Sequence, residues 1–88
     1  MEERTFMSDS MKTAVKNIIA GAYKYKIGRV DRAKYISDCM KDSYSSINWM
    51  VIIYEGDHGY GEFRNATTSY YYWCKIDGTH IIVIGFSK

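Results

Sequence analysis

Polar and apolar positions along the chain change their period once, near Asn48. Before it the rhythm is helical. Met11, Val15, Ile18, Ala22 and Tyr25 recur at spacings of four, three, four and three, which lines one face of an amphipathic helix. Ala14 and Ile19 widen that stripe, and Ser8 or Asp9 stands where an N-cap belongs. Gly21 costs a helix interior roughly 1 kcal/mol against Ala, so it marks a close approach by another element. "KIGR" at 26–29 breaks the pattern, with Gly28 supplying an unusual backbone angle. Val30, Ala33, Ile36, Met40 and Tyr44 then predict a second helix from about Val30 to Tyr44, ended by "SSIN". Residues 1–7 are charged and short of pattern, with only Phe6 and Met7 as candidates for burial.

After Asn48 the pattern becomes strand-like. "WMVIIYE" is β-branched and aromatic, and "GDHG" at 56–59 reads as a turn. "YGEFRN" alternates Tyr60, Glu62 and Arg64 against Gly61, Phe63 and Asn65, and a polar strand of this kind suits a sheet edge. "ATTS" is a loop. "YYYWCKI" and "THIIVIGF" then flank Asp77-Gly78, a strong hairpin signal.

A two-residue turn at Asp77-Gly78 would set Ile76 against Thr79, Lys75 against His80, Cys74 against Ile81, Trp73 against Ile82, Tyr72 against Val83 and Tyr71 against Ile84. Tyr70, Tyr72, Cys74, Ile81 and Val83 then share one face. Tyr71, Trp73, Ile82, Ile84 and Phe86 share the other. Both faces are apolar, and two helices cover only one. The remaining face therefore predicts a second layer from outside the chain, such as a partner sheet.

Composition sharpens this. A chain of 88 residues is one domain at most. A monomer of that size buries only about 60% of its unfolded surface, and small domains often gain stability by associating. Nine Tyr and two Trp are an excess suited to surfaces that become buried on association. The net charge of +2 argues for neither nucleic acid nor membrane. It is unevenly spread: Lys24, Lys26, Arg29, Arg32 and Lys34 cluster with only Asp31 against them. That cluster reads first as a solvated helix end, connection and helix start, with an acidic partner surface as the alternative. Cys39 and Cys74 lack a CxxC spacing and read as reduced, buried thiols of a cytosolic protein. No signal peptide or bilayer-length apolar run is present, and "NAT" at 65–67 is read as a chance glycosylation match.

No catalytic constellation emerges, and the chain reads as non-enzymatic. His58 in a turn and His80 near a hairpin end are expected to be exposed or locally hydrogen-bonded. HExxH, paired Cys/His, Walker, GxGxxG and EF-hand patterns are all missing, so neither a metal nor a cofactor is expected. "GYG" at 59–61 has no following helix to hold phosphate. Aromatics on a sheet can stack RNA bases, but face-exposed cations are too few here.

Helix, helix, edge strand and closing aromatic hairpin in under ninety residues resemble the small cytoplasmic dynein light chains, from about Met7 to Phe86. "MSDSM" resembles the opening of the family's first helix, and "AKYI" and "DSY" its second helix and end. Trp49 is similar to the Trp that opens the next strand, "YGEF" to a Phe-Gly-Ser-Tyr strand, and "YYYW…DG…IIVIGF" to the closing hairpin. The resemblance implies an α+β fold, two helices packed on an antiparallel β-sheet, as a strand-exchanged homodimer. It implies a dimeric adaptor that binds extended peptides by β-strand addition at the dimer interface. Expected partners are a second copy and peptides of dynein intermediate chain or other cargo, in a cytoplasmic, cytoskeleton-associated setting.

On this resemblance the exchanged, peptide-pairing strand is Tyr60, Gly61, Glu62, Phe63, Arg64 and Asn65. Met50, Tyr71, Trp73, Ile82 and Ile84 take groove-floor and interface positions. Met50 replaces an interface His, so the dimer should lack that His-linked weakening in acid. Other departures bear on specificity. Arg29 and Val30 stand where a polar residue and a Lys help hold a peptide Gln, and Asn65-Ala66 replaces Thr-His. Ile82 replaces a small Ala and Trp73 a Tyr, which enlarges the floor. A lost polar partner costs ~1–3 kcal/mol, so Gln-containing peptides should bind weakly or not at all. The "YEGDHG" loop is longer than the family's, and the first strand looks truncated. The chain is also similar to the divergent light-chain-like domain that follows an EF-hand pair in flatworm tegumental calcium-binding proteins. In that case it is a dimerisation domain with altered peptide specificity, located in the tegument, with its calcium sites outside these residues.

Overall fold

The computed structural model describes residues 2–56 and 70–87. In chain order these form β1 (Glu2–Thr5), α1 (Asp9–Tyr25), α2 (Arg29–Ser43), β2 (Ile47–Glu55), β3 (Tyr70–Ile76) and β4 (Thr79–Ser87). The strands make one antiparallel sheet in the order β1-β3-β4-β2, and both helices pack on one of its faces. The architecture is α+β, as the change of period at Asn48 predicts.

Ser8 caps α1, its Oγ accepting from the Met11 amide at 3.3 Å, and Asp9 opens the first turn. The buried stripe of α1 is Met11, Val15, Ile19 and Ala22. It differs from the expected one at two places. Ile19 takes the central position and Ile18 is half-buried. Tyr25, at the helix end, turns outward, with its ring 6.3 Å from that of Tyr35. On α2, Ile36 and Met40 are buried as expected, but Val30 is exposed. It belongs to the first turn, at the connection between the helices. Gly21 is a point of close approach: a Cβ there would stand 2.7 Å from the Tyr35 hydroxyl.

Residues 2–5 correct the sequence reading, which found no strand there. Glu2, Glu3, Arg4 and Thr5 pair with Lys75, Cys74, Trp73 and Tyr72. Their charges conceal the strand, because it is an edge strand and edges tolerate charge. Thr5 ends it by donating its hydroxyl to the Tyr71 carbonyl at 2.9 Å and accepting from the Met7 amide at 3.0 Å. Met7 is buried; Phe6 is largely exposed, though its ring lies 6.0 Å from that of Tyr71.

The hairpin register is the one that Asp77-Gly78 predicts, from Ile76 opposite Thr79 to Tyr71 opposite Ile84. Both turn residues have positive φ, 49° for Asp77 and 81° for Gly78, as a two-residue turn between twisted strands requires. β2 starts at Ile47, two residues before Trp49, and runs the length of β4. Trp49 crosses β4 at Gly85, where a Cβ would meet the indole at 2.7 Å. Tyr70 flanks the same glycine from the other side, its ring 6.0 Å from that of Trp49.

Candidate functional site

The register divides the aromatic run between two clusters. Tyr72, Cys74, Ile81 and Val83 join the helices and Trp49 in the main core, with Tyr70 at its margin. Tyr71, Trp73, Ile82 and Ile84 form a second cluster on the opposite face, bordered by Ile52, Tyr54 and Phe86. The structure thus brings together four of the five expected floor and interface residues. Met50 pairs with Ile84 across β2 and β4, which puts it on the same face, and it remains 49% exposed. The expected exchanged strand, Tyr60, Gly61, Glu62, Phe63, Arg64 and Asn65, lies outside the described residues, as do His58 and most of the "GDHG" turn.

One expectation is overturned. The second face is not left open to solvent, since Tyr71, Trp73, Ile82 and Ile84 are all no more than 4% exposed within a single chain. The apolar excess counted from the sequence is covered without a second molecule.

Of the two expected forms, exposed or locally hydrogen-bonded, His80 takes the second, and it is buried at 2% exposure. The Trp73 indole Nε1–H donates to its Nδ1 at 3.1 Å, and its Nε2 meets the Gly56 carbonyl at 2.6 Å. An indole can only donate, so Nδ1 is the acceptor and Nε2 carries the proton given to Gly56. The Tyr54 ring stacks on the imidazole at 4.5 Å, nearly parallel. Composition did not reveal this, but the register did place His80 opposite Lys75, two residues along the hairpin from Trp73. Burial pushes the Tyr54 hydroxyl above its ordinary pKa.

On the helix face, the Tyr72 hydroxyl donates to Glu3 at 2.7 Å, and Lys12 and Lys16 stand 3.8 and 3.9 Å from the same carboxylate. This ties β1 to both β3 and α1. A cavity of about 490 Å³ opens beside it, lined by Lys16, Ile19, Tyr23, Tyr72, Cys74 and Ile76. It lies across the sheet from Trp73 and Ile82, so it is distinct from the expected groove. Cys74 is buried, and burial pushes its thiol up to about 12. Cys39 is only half-buried, contrary to the expected pair of buried thiols. Among the described residues no group of three His, Cys, Asp or Glu side chains is placed to hold a metal. Among the described residues no helix is long and apolar enough to cross a membrane.

Comparison with solved structures identifies the architecture. The chain matches the dynein light chain-like domain of the Fasciola hepatica calcium-binding protein FhCaBP2, with a TM-score of 0.63 over 99% of this chain and 90% of that one. This is a dynein light chain-like fold. Sequence identity to the Fasciola domain is only 17%, so the likeness is one of fold. No family model matches the chain, and no curated protein matches it. The match covers the helix pair, the closing aromatic hairpin and the edge strand β1 alike.

Proposed function

We propose that this chain is a homodimeric, non-enzymatic peptide-binding domain of the dynein light chain type. The observation that carries the reading is β2. It is nine residues long, it is the outermost strand of the described sheet on its side, and it presents the exposed Met50 beside Ile84. Long outer strands template further pairing, and strand addition is the binding mode this architecture suits. In the dimer, the strand assigned to Tyr60–Asn65 is exchanged between subunits. The second apolar cluster then lies at the interface with the partner, and such an exchange of identical elements is a low-cost route to a dimer. Peptides of a dynein intermediate chain or of cargo proteins add along the exchanged strand, in a cytoplasmic, microtubule-associated setting.

Sedimentation at micromolar concentration tests the dimer, with Met50→Asp expected to shift it to monomer; a wild-type monomer there would sink the reading. Titration with a Gln-containing dynein-type peptide tests the groove. Trp73 and Ile82 fill the floor and Val30 replaces a Lys, so binding is expected to be weak. An intact dimer with no peptide binding favours a second reading, which the Fasciola likeness supports. There the chain is the dimerisation domain of a calcium-binding protein, with its specificity altered.

A further inference from the structure

The connection between α1 and α2 exposes aliphatic side chains where a solvated turn should be polar throughout. Residues 24–30 are exposed throughout, and among them Ile27 is 89%, Val30 82% and Tyr25 64% exposed. Large aliphatic side chains so exposed are unusual in a chain whose other face buries every apolar residue at its centre. They stand among the cations Lys24, Lys26, Arg29, Arg32 and Lys34, opposed by Asp31 alone in that stretch.

The cations divide by their engagements. Arg32 braces the turn: its Nε donates to the Lys26 carbonyl at 3.1 Å and its guanidinium lies 4.0 Å above the Tyr23 ring. Lys34 is paired with Asp38 at 2.8 Å. Lys24 Nζ sits 5.4 Å from the centre of the Tyr25 ring. Lys26 and Arg29 have no ion pair among the described residues, and they alternate with Ile27 and Val30. The turn is held in shape by Lys26 N to Ala22 O at 3.0 Å and Arg32 N to Gly28 O at 3.1 Å. The result is an exposed, hydrogen-bonded turn with aliphatic points, an aromatic shoulder and the cations Lys26 and Arg29.

We propose that this turn docks on an anionic phospholipid surface. The two aliphatic side chains enter the headgroup boundary, Tyr25 rests at its level, and Lys24, Lys26 and Arg29 meet lipid phosphate and carboxylate. A protein partner would need a pocket shaped to this exposed turn, whereas a bilayer interface supplies apolar depth and negative charge together without one. The inference goes beyond the proposed function and does not rest on it.

Co-sedimentation of the full chain with vesicles of phosphatidylcholine containing 30% phosphatidylserine is the test, with pure phosphatidylcholine as the control. Binding is expected only to the anionic vesicles and should fall at high salt. K26Q/R29Q removes two cations and should weaken it about 5- to 30-fold. I27N/V30N should weaken it at least about 10-fold, and unchanged far-UV circular dichroism would show that the exposed positions leave the fold intact. Absent or composition-independent pelleting overturns the proposal. So does full binding by I27N/V30N, which would reduce the effect to nonspecific charge. A change in the oligomeric state of I27N/V30N without lipid would assign the turn to a contact between copies and overturn it too.

Discussion

Trp73 donates its indole N–H to the Nδ1 of His80 across the hairpin, and His80 passes a proton bond on to the Gly56 carbonyl at the end of β2. Three strands are therefore tied at one buried imidazole. Replacing it should be costly: His80→Phe fits the stack on Tyr54 but removes the acceptor for Trp73 and the donor for Gly56. A loss of about 1–3 kcal/mol is expected from chemical denaturation, the usual cost of stranding buried polar groups. A double-mutant cycle with Trp73→Phe should return a coupling of at least about 0.5 kcal/mol. Additive losses would show that the bond contributes nothing.

Two glycines, both closely approached, should respond differently to a methyl group. Gly85→Ala drives a Cβ against the buried Trp49 ring and the Ile47 Cγ2, at 2.7 and 2.9 Å. Neither neighbour can withdraw, and a loss of about 1–3 kcal/mol is expected, with an altered near-UV spectrum. Gly21→Ala meets the Tyr35 hydroxyl, the far end of a half-exposed side chain that can swing away. The helix gains ~1 kcal/mol from the better former, so the net change should lie within about 1 kcal/mol. Thermal unfolding of the two variants gives the comparison directly.

Glu3 makes stability depend on acid. The Tyr72 hydroxyl bond, then the Lys16 and Lys12 charges, hold its carboxyl below the ordinary value of 4.5, with partial burial opposing them. A carboxyl so held favours the folded chain above its unfolded pKa, and that contribution is lost as pH falls through the lower folded value. Wild type should exceed Glu3→Gln by about 1 kcal/mol at neutral pH, a modest figure because the ion pairs are partly solvated. The gap should close as pH drops below 4.5. A constant gap across that window would remove Glu3 from the account.

The cysteines should differ in reactivity. Cys74 is buried with its thiol pushed up to about 12, whereas Cys39 is partly exposed on α2. Only the thiolate is alkylated. Mass spectrometry after iodoacetamide at pH 8 should therefore find Cys39 modified in the native protein, and Cys74 only after unfolding.

The sheet was legible where local chemistry dictated it. Asp77-Gly78 determined which aromatics share a face, because a one-residue slip would exchange every side chain. Gly21 announced its close neighbour through its helix penalty. β1 was hidden because pairing with β3 is a long-range event that four charged or polar residues do not signal. Val30 and Tyr25 fit the helical period but lie at the ends of their helices, beyond the reach of the core. The burial of the second face was missed for a related reason: a count of apolar residues cannot tell cover from the same chain from cover by another. Of the candidate site, the shared face of Tyr71, Trp73, Ile82 and Ile84 followed from the register. The role of His80 did not, because an imidazole becomes a junction only when Gly56 and Trp73 converge on it.

The strand order has a further consequence for synthesis. The two central strands span residues 70–87, while the flanking strands are residues 2–5 and 47–55. Among the described strands neither flanking one touches the other, so the described sheet joins up only once the hairpin between them exists. On the ribosome, α1, α2 and β2 can pack on one another beforehand, but the main core closes only once β4 has left the exit tunnel, so completion of the fold is a late event.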